Sequence, residues 1–272
     1  MAYHPIITLT TDFGTSDHFV GALKGVIVEI VPEAQIVDIT HAVQAFDVLD
    51  GALAIAQTYS YFPSGTVHMV VVDPGVGTTR RPIIASSDGY HFVAPDNGVL
   101  SMIYAKEERI RVRHVTSDHY FRQPVSHTFH GRDVFAPVAA YLAKQVDSHK
   151  FGDEIEDYVK FAAPRPKPAG EGRIRGVVLK VDRFGNLITN VTPEDAPAIF
   201  AGKPFTIKVG SKEITDIREA YAEGAPGEVF GVLGSMGYLE IVANRAPAAQ
   251  LTGAGKGAEV SILLGEAAAA KA

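Results

Sequence analysis

Residues 66–81 read TVHMVVVDPGVGTTRR. The apolar run ending in Val70, Val71 and Val72 reads as a buried strand over 66–72. Asp73, Pro74 and Gly75 then signal a tight turn, and two arginines close the segment. Working back toward the start, residues 5–10 (PIITLT) form a short buried strand. From Phe19 the apolar residues Phe19, Val20, Leu23, Val26, Ile27, Ile30 and Val31 recur at helical spacing until Pro32 stops them. A strand over 35–39 and a helix over 47–59 lead into the strand at 66. This strand–helix–strand–helix–strand order predicts an α/β domain with a mainly parallel sheet. Beyond the arginines, 82–85 and 91–94 form a hairpin about Ser87-Asp88-Gly89. A helix is expected over 133–146, with Asp133 in its first turn.

The texture changes after residues 162–172 (AAPRPKPAGEG), which read as a stiff Pro-rich linker. Short β runs separated by glycine-rich turns follow, the pattern of a small β-barrel or sandwich. The expected organisation is an N-terminal α/β domain over 1–162, a linker over 163–172, a β-barrel over 173–266 and a fraying tail over 267–272. Of the 272 residues, 46% are hydrophobic and 21% charged, as in ordinary globular proteins. No apolar run reaches the ~18 residues of a membrane span. The net charge of −6 speaks against a nucleic-acid partner. There is no cysteine, which excludes disulfides, thiolate nucleophiles and Cys-based zinc sites. The first residues lack a signal-peptide pattern, so a cytoplasmic location is expected.

Ligands of α/β sheets bind beyond the carboxyl ends of the strands. The loops there carry Asp12 and Asp17; Asp38, His41 and Asp47; and Asp73, Arg80 and Arg81. A fourth loop, SHTFHGRD (126–133), carries His127, His130, Arg132 and Asp133. Each alone has a structural reading: turn chemistry for Asp73, a solvated face for the arginines, a satisfied histidine for His127 or His130, a core ring for Phe46 or Phe184. GVG lacks the Lys-Ser/Thr of a phosphate loop, and neither HExxH nor GxSxG occurs. A carboxylate, a guanidinium and an imidazole on loops at one sheet edge can position and deprotonate water.

The segments TDFGTSDHFVGALKG, VDPGVGTTRR, APDNGVL, TFHGRDVFAPVAA, VDRFGNLITN and GSMGYLEIVAN together resemble the S-adenosylmethionine hydroxide adenosyltransferase family, relatives of the fluorinase and chlorinase. The resemblance runs over about residues 5–265. It implies hydrolysis of S-adenosylmethionine to adenosine and L-methionine without a cofactor or metal. It also implies a homotrimer whose ligand lies at a subunit interface. The water-activating set implied is Asp73, Arg80 and His130. The implied substrate contacts are Asp12, Phe46 and Phe129 in the N-terminal part, and Asp182, Phe184, Asn186, Tyr221, Ser235 and Asn244 in the C-terminal part. Asp182 would hold the methionine ammonium and Ser235 its carboxylate; Met236 stands where the fluorinase has arginine. The fluorinase carries tyrosines in place of Asp73 and His130 and a serine in place of Gly131, so the residues kept here favour water over halide.

Arg80 stays protonated, so it can stabilise developing hydroxide and fix Asp73 but cannot act as a base. The proton then goes to Asp73 or His130, and the sequence leaves that choice open. Pro74-Gly75 would hold Asp73 rigidly, and Gly77 would let the backbone approach the sugar. Two other readings remain. A metal-dependent hydrolase of a phosphorylated nucleoside would use Asp12, Asp73, His127, His130 and Asp133 as ligands. A nucleoside-binding module would bind without turnover.

Overall fold

A computed structural model describes residues 4–170 and 172–265. The chain divides into two compact units, Met1–Ala163 and Pro164–Ala272. The tail expected over 267–272 lies outside the described residues. Among the described residues no helix is long and apolar enough to cross a membrane.

The first unit is built on seven strands: β1 (Ile6–Thr11), β2 (Gln35–Thr40), β3 (Val67–Val71), β4 (Pro82–Ser86), β5 (His91–Pro95), β6 (Arg111–His114) and β7 (Glu154–Ile155). Their order in the sheet is β2-β1-β3-β5-β4-β6-β7. Strands β2, β1, β3 and β5 pair in parallel. The remaining pairs, β5–β4, β4–β6 and β6–β7, are antiparallel. The sheet is therefore mixed, not mainly parallel as expected. The hairpin at 82–95 is the cause, because two strands joined by a tight turn must run in opposite directions.

All five residues of β3 are buried, because helices cover both faces of the sheet. Val67, Met69 and Val71 join Ile7 and Leu9 of β1 in the core beneath α1 (Phe19–Ile30) and α4 (Ala136–Ala143). Leu23 and Ile27 are the α1 residues with no exposure at all, and full burial of such side chains contributes ~2 kcal/mol each. The opposite face holds Thr8 and His68, whose Oγ1 and Nδ1 lie 2.7 Å apart. The helices there are α2 (Val48–Ala56) and α3 (Ser101–Lys106). Gly51 of α2 sits so close to β3 that a β-carbon would fall 2.8 Å from Val72 Cγ2. Asp47 caps α2 by accepting from the Asp50 amide at 3.1 Å, so its role is local.

The helix expected over 133–146 begins differently. Residues Gly131–Phe135 form a π-helical turn that runs into α4. Pro137 has no N–H to give to the Asp133 carbonyl one turn back. That carbonyl instead accepts from the Arg122 amide at 2.8 Å, which ties the 122–133 segment to the helix start.

The second unit is one nine-stranded sheet in the order β12-β11-β16-β9-β10-β15-β14-β13, with β8 added beside β9. Its strands are β8 (Lys167–Pro168), β9 (Arg173–Val181), β10 (Leu187–Thr189), β11 (Phe205–Val209), β12 (Lys212–Ile214), β13 (Ile217–Arg218), β14 (Val229–Leu233), β15 (Leu239–Ala243) and β16 (Glu259–Leu264). The sheet curls around a core that includes Val178, Leu187, Ile207, Leu239, Ile241 and Ile262. It is a curled half-barrel rather than the small barrel expected, since among the described residues the terminal strands β12 and β13 do not pair with each other. β8 falls inside the stretch expected to be linker, where Lys167 and Pro168 pair with Arg175 and Ile174.

Candidate active site

The parallel registers put Thr10 beside Val70 and beside Thr40, so β1, β2 and β3 end at one edge of the sheet. The loop after β3 leaves that edge as a chain of tight turns. The Val76 amide bonds the Asp73 carbonyl at 3.3 Å, and the Thr78 amide and hydroxyl bond the Gly75 carbonyl at 3.1 and 2.7 Å. Asn97 donates from Nδ2 to the Val72 carbonyl at 2.8 Å and so fixes the point where the loop departs. Gly77 has φ +77°, and a β-carbon there would overlap the carbonyl oxygen of His127. Its missing side chain lets the 73–81 loop meet the 126–133 loop at His127.

That approach brings three side chains together. Arg80 Nε lies 2.9 Å from both Asp73 oxygens, and Nη2 lies 2.5 Å from Asp73 Oδ2. The same Nη2 lies 2.7 Å from His130 Nδ1. The Arg80 and Asp73 side chains are 9% and 6% exposed, so this is a desolvated pair. The Arg80 guanidinium also sits 5.2 Å over the Phe135 ring. A guanidinium can only donate, so His130 Nδ1 accepts. The neutral ring then carries its hydrogen on Nε2. Burial first, and then the Arg80 charge, push the His130 pKa below its ordinary value against the opposing pull of Asp73 and Asp133. His130 is therefore held neutral, with an N–H facing away from Arg80.

Arg81 does other work. It donates from Nε to Asp96 Oδ2 at 2.9 Å and from Nη1 to Asp157 Oδ1 at 2.8 Å. The Asp96 amide in turn bonds the Arg81 carbonyl at 2.8 Å. Asp96 and Asn97 thus clamp both ends of the loop that carries Asp73 and Arg80. These two residues of APDNGVL carry no task readable from local pattern; the signal available is a carboxylate and an amide directly after a buried strand.

Asp12 and Phe46 are also brought together. Asp12 Oδ2 accepts from the Phe46 amide at 2.8 Å. Phe46 has φ +66° and its ring is 74% exposed. A non-glycine residue in this region costs about 1–2 kcal/mol, so the Asp12 bond holds an unfavourable backbone that presents an aromatic ring to solvent. Phe129 is placed differently, half-buried against Phe19 and Phe13 with centroids at 5.3 and 6.2 Å. The Arg132 guanidinium lies over its ring at 5.1 Å.

The metal-binding reading finds no support in the geometry. Among the described residues no three His, Cys, Asp or Glu side chains gather as a metal site. Asp73 is taken by Arg80. Asp133 accepts from the Ser126 amide at 2.9 Å and from Arg132 Nε at 2.7 Å, which shapes the 126–133 loop. His41 is held between Thr11 Oγ1 at 2.8 Å and Asp38 Oδ1 at 3.1 Å.

The second unit carries its own groove of about 570 Å³, lined by Asp182, Phe184, Asn186, Tyr221, Asn244 and the 245–247 segment among others. Asp182 Oδ1 accepts from the Phe184 and Asn186 amides at 2.9 and 2.8 Å, and Oδ2 from Asn186 Nδ2 at 2.9 Å. This turn closes only because residue 185 is glycine: φ is +85°, and a β-carbon would lie 2.5 Å from Pro247. It leaves Phe184 77% exposed. Asn244 Nδ2 holds the Gly224 carbonyl at 2.7 Å, which sets the segment after Tyr221. Ser235 lies exposed on the turn between β14 and β15 and is not among the residues lining the groove.

Residues 7–152 match the sequence model of the SAM hydroxide adenosyltransferase N-terminal domain, and residues 176–261 that of its C-terminal domain. The chain is 36% identical to the (R)-S-adenosyl-L-methionine hydrolase of Salinispora tropica, covering 97% of this chain and 100% of that protein. It is 34% identical to the hydrolase of the same name from Thermus thermophilus, with 93% and 97% covered. A fluorinase from an Actinoplanes species is 28% identical, with 90% and 93% covered. Among solved structures, an uncharacterised conserved protein from Thermotoga maritima superposes with a TM-score of 0.86 at 35% identity, covering 94% of this chain and 99% of that one. Both domains of the family are present in order, and the relatives align over nearly their whole length; the chain belongs to the SAM hydroxide adenosyltransferase family.

Proposed function

We propose that this protein hydrolyses S-adenosyl-L-methionine to adenosine and L-methionine, by in-line attack of water on the ribose C5′ with departure of the methionine sulfur. The observation that carries the reading is the guanidinium of Arg80, which binds Asp73 through a fork and His130 Nδ1 through the same Nη2. The sulfonium is already a good leaving group, so the enzyme's task is the nucleophile. Bulk water has a pKa near 15.7, and full deprotonation at pH 7 would cost ~12 kcal/mol at ~1.36 kcal/mol per unit. A positioned water loses its proton only as the C–O bond forms, which avoids most of that cost.

The tautomer divides the labour. With Nδ1 accepting from Arg80, neutral His130 has only its Nε2 hydrogen to offer, so it orients the water oxygen as a donor. Among the described residues Asp73 Oδ1 accepts only from Nε of Arg80 and has lone-pair capacity left, so Asp73 takes the proton. Arg80 stabilises the developing negative oxygen. Asp12 is assigned to the ribose, Phe46 and Phe184 to apolar walls around the sulfonium, and Asp182, Asn186, Tyr221, Ser235 and Asn244 to the remainder of the ligand. Phe129 supports the loop that carries His130.

No cofactor or metal is required by this scheme, and a cytoplasmic location is part of the proposal. So is a homotrimer, in which the residues of the first unit and those of the C-terminal groove meet across subunits. The test is incubation with S-adenosylmethionine in heavy-oxygen water, with product analysis by chromatography and mass spectrometry. Label in the adenosine 5′-hydroxyl supports attack at C5′. Binding without release of adenosine, or release with unlabelled adenosine, refutes it.

A further inference from the structure

A buried carboxylate in contact with Tyr221, one of the residues that line the C-terminal groove, has no assigned task. Glu240 is the second residue of β15, a strand buried at all five positions, and is itself 5% exposed. Its neighbours across the sheet are Ile188 of β10 and Val232 of β14, neither of which titrates. Its Oε2 lies 3.4 Å from the Tyr221 hydroxyl, a long contact. Its Oε1 presses against Gly234, where a β-carbon would overlap it. The titratable groups that act on it are the Asp182 carboxylate and the Tyr221 hydroxyl, and neither brings positive charge. Burial first, and then Asp182, raise its pKa above the ordinary carboxylate value.

A buried carboxylate facing a second carboxylate is unfavourable until a proton or a cation arrives. Asp182 and Tyr221 both line the groove, so the cation can come from a ligand seated there. Asp182 is already oriented by three donors from its own turn. Glu240 has no comparable set. Gly234 leaves its carboxylate space that any side chain would fill.

We propose that Glu240 is a second ammonium-binding carboxylate, which works beside Asp182 to receive the α-ammonium of the ligand's amino-acid moiety. The inference rests on the reading of the chain as an S-adenosylmethionine hydrolase.

The test uses the full-length protein and two ligands in calorimetry. S-adenosylhomocysteine carries the ammonium and has no sulfonium to hydrolyse. 5′-Methylthioadenosine keeps the nucleoside and sulfur but has no amino acid. Titrations run at pH 7.5. The wild type is expected to bind S-adenosylhomocysteine at least tenfold more tightly than 5′-methylthioadenosine. Glu240→Gln should lose about tenfold in affinity for S-adenosylhomocysteine and keep its affinity for 5′-methylthioadenosine. Wild-type affinity for S-adenosylhomocysteine no greater than for 5′-methylthioadenosine overturns the proposal even if the variant does not fold. Equal S-adenosylhomocysteine affinity in Glu240→Gln overturns it as well. Failure of the wild type to bind either nucleoside removes the parent reading, an outcome distinct from both.

Discussion

Replacing Arg80 with lysine keeps the charge and removes the fork. In the structure the guanidinium makes short contacts to both Asp73 oxygens and to His130 Nδ1, from two nitrogens held in one plane. A lysine ammonium has a single nitrogen, so it keeps at most one arm to Asp73 and gives up the His130 contact. Hydrogen bonds to charged groups contribute ~1.5–3 kcal/mol each. At ~1.36 kcal/mol per decade of rate, losing the His130 bond and one arm of the fork lowers kcat by about 10²- to 10⁴-fold. Without its donor, His130 Nδ1 is free to carry the ring hydrogen, and the donor facing the water is lost. KM should change by less than about threefold, because the fork handles water and not the ends of the substrate. The assay is the initial rate of adenosine release over a range of S-adenosylmethionine concentrations, with thermal melting as a control for folding. A folded Arg80→Lys protein with kcat within threefold of wild type would refute the argument.

Gly77→Ala should destabilise the protein by about 2 kcal/mol or more, because it adds a β-carbon at φ +77° against the His127 carbonyl; an unchanged Tm would contradict the loop contact. His68 is buried among aromatic rings and its pKa is lowered to about 3 by desolvation. Its unfolded value near 6.5 is higher, so the unfolded chain binds the extra proton. Stability is fully present above pH 6.5 and is lost as pH falls toward 3, by on the order of 5 kcal/mol over the whole window. His68→Leu should flatten that acid slope in denaturant titrations at pH 7 and pH 4.5, and an unaltered slope would reject the cause. Activity should survive excess EDTA, since Arg80 occupies the Asp73 carboxylate that a cation would need; loss of activity restored by a divalent metal would reverse that view.

Much of the first unit could be read from local pattern. The spacing of Val20, Leu23, Val26 and Ile27 marked α1, and these four residues are the ones the helix buries. The hairpin at 82–95 was also legible, yet its consequence for the sheet was not drawn, because strand order depends on pairings that no local pattern records. The π-helical turn before α4 depends on Pro137 and on a distant amide at Arg122, which meet only in the folded chain. Asp73, Arg80 and His130 were singled out by family resemblance, and their meeting depends on Gly77 passing close to His127. Glu240 stayed hidden for a physical reason: a charged residue within a strand reads as a solvent-facing position, and here the curled sheet covers it.

The adjacent arginines set a rule about length. Arg80 reaches Asp73 and His130 while Arg81 reaches Asp96 and Asp157. Removing one residue between positions 73 and 80 would exchange these duties, sending the inward guanidinium to the outer carboxylates and leaving the loop's anchor facing the reaction. Thr79 is exposed and can vary in kind; the number of residues in that turn cannot vary, and drift in this segment should appear as exchanges of side chain, never as gaps.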